Sequence, residues 1–464
     1  MDQTFMKEKK IFPLVISMSL PMVISMLVNS LYNIVDSFYV AQLGEDAMTA
    51  LSIVFPLQNL ANAVGVGFGI GVNAAVAYFL GAGNRDYADK SAFYGTVLSV
   101  LHGVLLCAVC LPVSSHFFAL FTSGDAVLEY SVDYFYIVIA FAPVITLGIN
   151  FEKILQAVGM MKTTMFCMTV GCVLNIVLDP LFISGTSVLP AMGVRGAAIA
   201  TGLGQSVSLL LYVAVLAFKR LPVKLRRVKE VRAKGLILRL YRVGVPATLN
   251  MALASFLITA LNAILAAFAE IYVLILGVYY KLQTFIYFTA NGIIQGIRPL
   301  VAYNYGAERP DRVKKIFAVA LSLSAAIMAL GTVLCLAIPS ELMGIFTDNS
   351  DTLAAGASAL RIISCGFIVS ALSVAVSGMF EGLGKGMPSL VVSLLRYIAI
   401  IPIAYGLSRA FGADGVWNAF WVTELIAAAV SVLLVVLQFR RMRSGTGGDT
   451  PGYVRAQRLT GRRA

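Results

Sequence analysis

The sequence predicts an all-α membrane protein in which twelve transmembrane helices form two parallel six-helix repeats, an N-lobe and a C-lobe, around a central cleft. Three observations lead there. The composition is too apolar for water. Twelve long apolar runs are separated by short polar or Gly/Pro breaks. One half of the chain also superimposes on the other.

Of the 464 residues, 59% are hydrophobic and 12% charged, with a mean hydropathy of +0.87. A soluble domain carries about 25% charged residues, so this chain could not cover its surface in water, and the bilayer is its natural solvent. The net charge of +12 does not indicate nucleic acid. The basic residues stand in short segments between apolar runs, the arrangement that orients a membrane protein. Cys107, Cys110, Cys167, Cys172, Cys335 and Cys365 all fall inside apolar stretches and imply no disulfide framework. Lys7, Lys9 and Lys10 precede an apolar run, as in a signal peptide. The run from Ile11 to Tyr39 is too long for one and has no small-x-small cleavage site, so it is read as a retained first helix.

A span needs roughly 20 apolar residues and must satisfy its own backbone. The runs that qualify are 11–40, 47–79, 92–119, 130–156, 163–185, 193–218, 237–268, 271–304, 316–344, 355–381, 388–411 and 414–439. Charge then orients them. Lys7, Lys9, Lys10, Arg85, Lys90, Lys153, Lys162, the linker, Arg298, Arg309, Arg312, Lys314, Lys315 and Lys385 all fall on one side. The opposite loops around Glu45–Asp46 and Thr122–Tyr130 hold no Lys or Arg. The positive-inside rule places both termini in the cytoplasm of a multi-pass protein of the bacterial inner membrane. The expected organisation is an N-lobe over 1–218 (helices 1–6), a basic cytoplasmic linker over 219–236, a C-lobe over 237–442 (helices 7–12) and a disordered basic tail over 443–464.

A shift of 225 positions brings Pro21 onto Pro246, Gln58 onto Gln283, Gly67 onto Gly292, Gly71 onto Gly296, Gly81 onto Gly306 and Gly159 onto Gly384. Near the end the shift becomes 219, with Gly196 on Gly415 and Gln205 on Glu424, because the external loop around Ser184–Ala191 is longer. Each half has an even number of spans and enters from the same side. The repeats are therefore parallel, related by an axis along the membrane normal, and two such lobes around a cleft form a transport architecture.

An ionisable group inside a span costs roughly 2.5–3.5 kcal/mol on insertion scales and needs a partner, a cavity or a role. Asp36 on helix 1, Asp179 on helix 5 and Thr201 on helix 6 each lie about two turns from the external end, and Asn175 is one turn from Asp179. Two carboxylates, an amide and a hydroxyl at one depth can cage Na⁺, or one carboxylate can hold a proton in its place. The alternative is a hydrogen-bonded pair of acids that locks helices together. The second half lacks the constellation: Leu261, Ile400, Ala404 and Phe420 stand at the equivalent positions. Polar stripes suggest a substrate cleft built from Asn29, Tyr32, Asn33, Gln58, Asn62, Asn262, Lys281, Gln283 and Glu424. Lys281 and Glu424 share a depth and are a conceivable pair, while Arg396 could snorkel. Glu152 and Glu381 sit at cytoplasmic helix ends, with Lys153 and Lys385 as expected partners. Pro21, Pro56 and Pro246 permit helix bending.

Several segments resemble the multidrug and toxic compound extrusion (MATE) family of bacterial type. They are LYNIVDSFYVAQLG (Leu31–Gly44), FEKILQAVG (Phe151–Gly159), NIVLDPLFI (Asn175–Ile183), GAAIAT (Gly196–Thr201), YNYGA (Tyr303–Ala307) and FEGLGKG (Phe380–Gly386), in the family's order over about residues 11–440. The resemblance implies a secondary active exporter of small organic, cationic compounds, exchanging substrate for inward H⁺ or Na⁺ by alternating access of the lobes. It implies no cofactor, and it places the N-lobe cation site at Asp36, Asn175, Asp179 and Thr201. The acids some members carry in helices 7 and 10 are missing from the middle of helix 7 here, and helix 10 reaches Glu381 only at its cytoplasmic end.

A monomer in the lipid bilayer is expected. Enzyme chemistry is not: His102 and His116 lack metal-ligand spacing, and no GxSxG, P-loop or HExxH occurs. A lipid-linked oligosaccharide flippase of the same superfamily is the alternative, although such a protein needs more basic residues in its cavity than this chain carries.

Overall fold

The computed structural model describes residues 3–122, 124–185, 190–226 and 233–444. Its spans are α1 (Ile11–Ala41), α2 (Glu45–Gly81), α3 (Arg85–Ala119), α4 (Asp125–Ala140 and Ala142–Ala157), α5 (Met161–Ile183), α6 (Gly193–Phe218), α7 (Ala233–Ala266), α8 (Glu270–Gly306), α9 (Pro310–Ala337), α10 (Ser350–Ser364 and Phe367–Gly382), α11 (Gly386–Phe411) and α12 (Ala413–Arg443). Ten are single helices long and apolar enough to cross a membrane, and α4 and α10 complete the twelve as bent pairs. The predicted linker is described only at its two ends. All but the first two residues of the predicted tail lie outside the described residues.

Local chemistry accounts for the departures from the predicted spans. α3 starts at Arg85, seven residues early, because the Asn84 side chain caps the Tyr87 N–H. α10 starts at Ser350, where Asn349 Oδ1 accepts from the N–H groups of Asp351 and Thr352, both at 3.0 Å. α9 stops at Ala337 because Pro339 begins a separate turn, Pro339–Gly344. α1 runs unbroken through Pro21. The bends of 49° in α4 and 51° in α10 fall at Phe141 and at Cys365–Gly366, so Phe141 and Gly366 are one 225-residue repeat apart. Pro143 opens the second segment of α4. In α10, Gly366 lets the bend press on Trp421, whose Cα would lie 3.1 Å from an added Cβ.

The buried core shows how the halves meet. On the side that bears the termini, one apolar cluster runs through both halves, from Met18, Val72 and Ile154 to Leu240, Ile297 and Met379. On the opposite side the core divides, with one cluster confined to α1–α6 and another to α7–α12. The halves therefore join beside the termini and part away from them.

The seam itself repeats the pseudo-twofold. An added Cβ on Gly67 would strike Thr248, and one on Gly292 would strike Val23. On Gly71 it would strike Leu240, and on Gly296 Ser19. On Gly81 it would strike the Tyr303 carbonyl, and on Gly306 the Tyr78 carbonyl. Small residues let α2 lie backbone-to-backbone on α7 and α8, and α8 on α1 and α2. Leading segments cross the seam too. Met6, before α1, is held by α8 and α9: Asn304 Nδ2 and Arg312 Nη2 donate to its carbonyl at 3.1 and 3.3 Å. Arg226, leading toward α7, is held by Asp89 and Asp86 of α3 at 2.7 and 2.9 Å.

Candidate ion and substrate sites

The four residues predicted as a cation site lie together in the N-lobe. Asn175 and Asp179 share a face of α5, one turn apart, and Thr201 of α6 reaches the same spot. Asn175 Nδ2 donates to Asp179 Oδ1 and to Thr201 Oγ1, each at 3.3 Å. Asp36 of α1 closes the group and acts electrostatically on Asp179 and on Tyr32 and Tyr134 nearby. All four are buried, Asp179 completely. Among the described residues, Asp36 Oδ1, Asp179 Oδ2 and Asn175 Oδ1 are buried without any hydrogen-bond partner. Three uncovered hard oxygens fit Na⁺, and an added proton on either carboxylate would supply a missing donor. No cluster of three His, Cys, Asp or Glu suited to a transition metal occurs among the described residues.

Seven of the nine polar residues predicted for the cleft fall into three groups. Asn29, Tyr32 and Asn33 follow one another along α1, and Asn33 Nδ2 donates to the Asn29 carbonyl at 2.7 Å. Gln58 and Asn62 line a small cavity inside the N-lobe against α3 and α4. Their neighbour Asn59 is the one that faces the other lobe, donating to Ser255 Oγ of α7 at 3.0 Å. Gln283 and Glu424 line a cavity of about 200 Å³ within the C-lobe. Asn262 lies on α7, half-buried.

Lys281 does not join them. It is exposed, with its ammonium 5.5 Å from the centre of the Phe346 ring, and the Lys281–Glu424 pair does not form. Glu424 pairs instead with Arg396, whose Nε and Nη2 both approach Oε1 at 2.8 Å. Depth along the membrane did not reveal which way each side chain turns around its helix. At the helix ends, Glu152 pairs with Lys153 at 2.8 Å as expected, and Lys153 continues to Gln295 of α8 at 3.1 Å. Glu381 pairs with Arg298 of α8 at 2.7 Å, a partner the sequence reading missed, and Lys385 donates to Gln438.

Two pseudo-symmetric bundles, joined on one face and parted on the other, with buried charge inside each, define a polytopic membrane protein of transporter architecture. A family profile described as MatE matches the chain twice, over 21–181 and 246–406, at the same 225-residue offset as the repeat. The chain belongs to the MatE family. It is 26% identical to the multidrug export protein MepA of Staphylococcus aureus (strain MSSA476) over 457 residues, covering 96% of this chain and 98% of the relative. It is 22% identical to MepA of Staphylococcus haemolyticus over 93% of its length and 94% of the relative. Among solved structures, an outward-facing multidrug resistance MATE family transporter of the MOP superfamily superimposes with a TM-score of 0.90 at 24% identity, covering 96% of this chain and 99% of that one. The all-helical fold read from the sequence is the fold of this family.

Proposed function

We propose that this chain is a secondary active exporter of small organic, cationic compounds, exchanging them for inward H⁺ or Na⁺ as its two lobes expose the cleft alternately to each face. One observation carries the coupling: Asp36, Asn175 and Asp179 each keep a buried oxygen that has no hydrogen-bond partner among the described residues. Such a site is stable only while a small cation neutralises it, and it asks for that cation again after each release. The seam beside the termini and the parted core opposite support the lobes as 1–218 and 237–442. The basic linker and flanks support a cytoplasmic linker and termini, which makes this an outward-open state, and the assembly we propose is a monomer in the bacterial inner membrane. The flippase alternative draws no support from relatives whose names describe drug export.

The test is uptake of a fluorescent organic cation into inverted vesicles under an imposed proton or sodium gradient. Asp36→Asn is expected to abolish gradient-driven uptake while the protein still reaches the membrane. Full uptake by that variant would remove Asp36 from coupling, and the gradient that supports wild-type uptake identifies the ion.

A further inference from the structure

We infer that the cavity within the C-lobe is a binding site for small aromatic zwitterions. It lies between α7, α8, α11 and α12 and measures about 200 Å³, the scale of one amino-acid-sized molecule. Its walls are aromatic, with Tyr280, Tyr287 and Tyr397 among them, which suits a flat ligand body. Its charge is a single opposed pair. Arg396 places both donors on one oxygen of Glu424 and spreads over the Tyr287 and Tyr397 rings at 5.8 and 5.6 Å. The second oxygen, Glu424 Oε2, is left buried without a hydrogen bond, as are Tyr280 Oη and Thr423 Oγ1, and all three residues line the cavity. A buried ion pair that keeps an unfilled acceptor is incomplete.

The ligand's charge follows. A cation would leave the low-dielectric cavity with a net positive charge, and an anion with a net negative one. A zwitterion keeps the sum at zero, its ammonium set toward Glu424 and its carboxylate toward Arg396, the two charged residues that line the cavity. Arg396 sits in a five-residue π-helical turn, Leu395–Ala399, a distortion often found at functional sites. Neither charge has an N-lobe counterpart, since Gly171 and Gln205 stand at the repeat positions. The pair is therefore not a remnant of the duplication.

This inference rests on the exporter reading, and its test separates the two. Both tryptophans of the chain, Trp417 and Trp421, lie on α12 on either side in sequence of Phe420, which lines the cavity. Their fluorescence can report binding by the purified full-length protein in nanodiscs with no gradient present. The probes are L-phenylalanine, its methyl ester (a cation) and N-acetyl-L-phenylalanine (an anion). The zwitterion is expected to act at concentrations at least ~10-fold below either derivative, and Glu424→Gln or Arg396→Lys is expected to level that order. An equal response to all three, a preference for the ester, or no response overturns the inference, and the wild-type series decides even if neither variant folds. A chain that exports cations in vesicles but ignores the zwitterion sinks this inference alone. One that shows the expected order yet transports nothing sinks the exporter reading alone.

Discussion

In the N-lobe, Asp36 and Asp179 lie buried beside an amide and a hydroxyl, with no basic side chain among the hydrogen bonds that hold the group. At the equivalent places in the C-lobe stand Leu261, Ile400, Ala404 and Phe420, packed into that lobe's apolar core. The C-lobe keeps its own buried acid, Glu424, but supplies an arginine to neutralise it. Duplicated halves have thus met the same physical demand in two ways. One leaves two acids with no basic side chain bonded to them. The other sets a guanidinium against its acid, on one carboxylate oxygen. The lesson is that a repeat conserves the scaffold while each copy settles its own electrostatics.

The largest test of this contrast is Asp179→Asn. Its gradient-driven uptake in inverted vesicles should fall to the level of vesicles lacking the protein, while Glu424→Gln retains a response to the ion gradient. Equal losses would erase the distinction between the lobes. Next comes stability of the closed pair. Glu424→Ala alone strands a buried guanidinium and should destabilise by about 3–5 kcal/mol, whereas Arg396→Met with Glu424→Leu should be nearly neutral. Thermal melting in detergent reads both. If the double variant melts as low as the single, the pair is not self-contained.

Installing the N-lobe acid in the C-lobe should fail in an informative way. Leu261 is fully buried among apolar side chains, so Leu261→Asp should lower stability by roughly 2.5–3.5 kcal/mol without creating a second coupled ion. A stable variant with altered ion stoichiometry would show that the surroundings matter less than argued here. The smallest effect is expected at the seam the lobes share. Gly306→Ala pushes a methyl group into the Tyr78 carbonyl, an overpacking of about 1–3 kcal/mol. It should shift labelling of an engineered cysteine near the Gly306 end of α8 toward the open state, and unchanged labelling would count against the seam as the moving contact.

Much of this was legible in the sequence. Hydropathy sufficed for the twelve spans because a lipid-exposed backbone leaves a helix little alternative. The Asp36 group was legible because its members share a depth and Asn175 and Asp179 share a helical face. Azimuth was harder to read. Rotation by one residue turns a side chain about 100° around its helix, so Asn59 faces the opposite lobe while Gln58 turns inward. The same blindness paired Glu424 with Lys281 rather than with Arg396, which a π-helical turn repositions. The bends at Phe141 and Gly366 escaped notice because both lie within continuous apolar runs.

The leading segments that cross the seam bear on how the chain is made. Met6 finds its seat on Asn304 and Arg312, some 298 and 306 residues downstream. At about 5–20 residues per second of synthesis, those partners emerge roughly 15–60 s after Met6 does. Met6 must therefore wait, unseated, until the first two helices of the second lobe have been made. Its docking follows those two helices, and a chain truncated before Asn304 would leave its own beginning unseated.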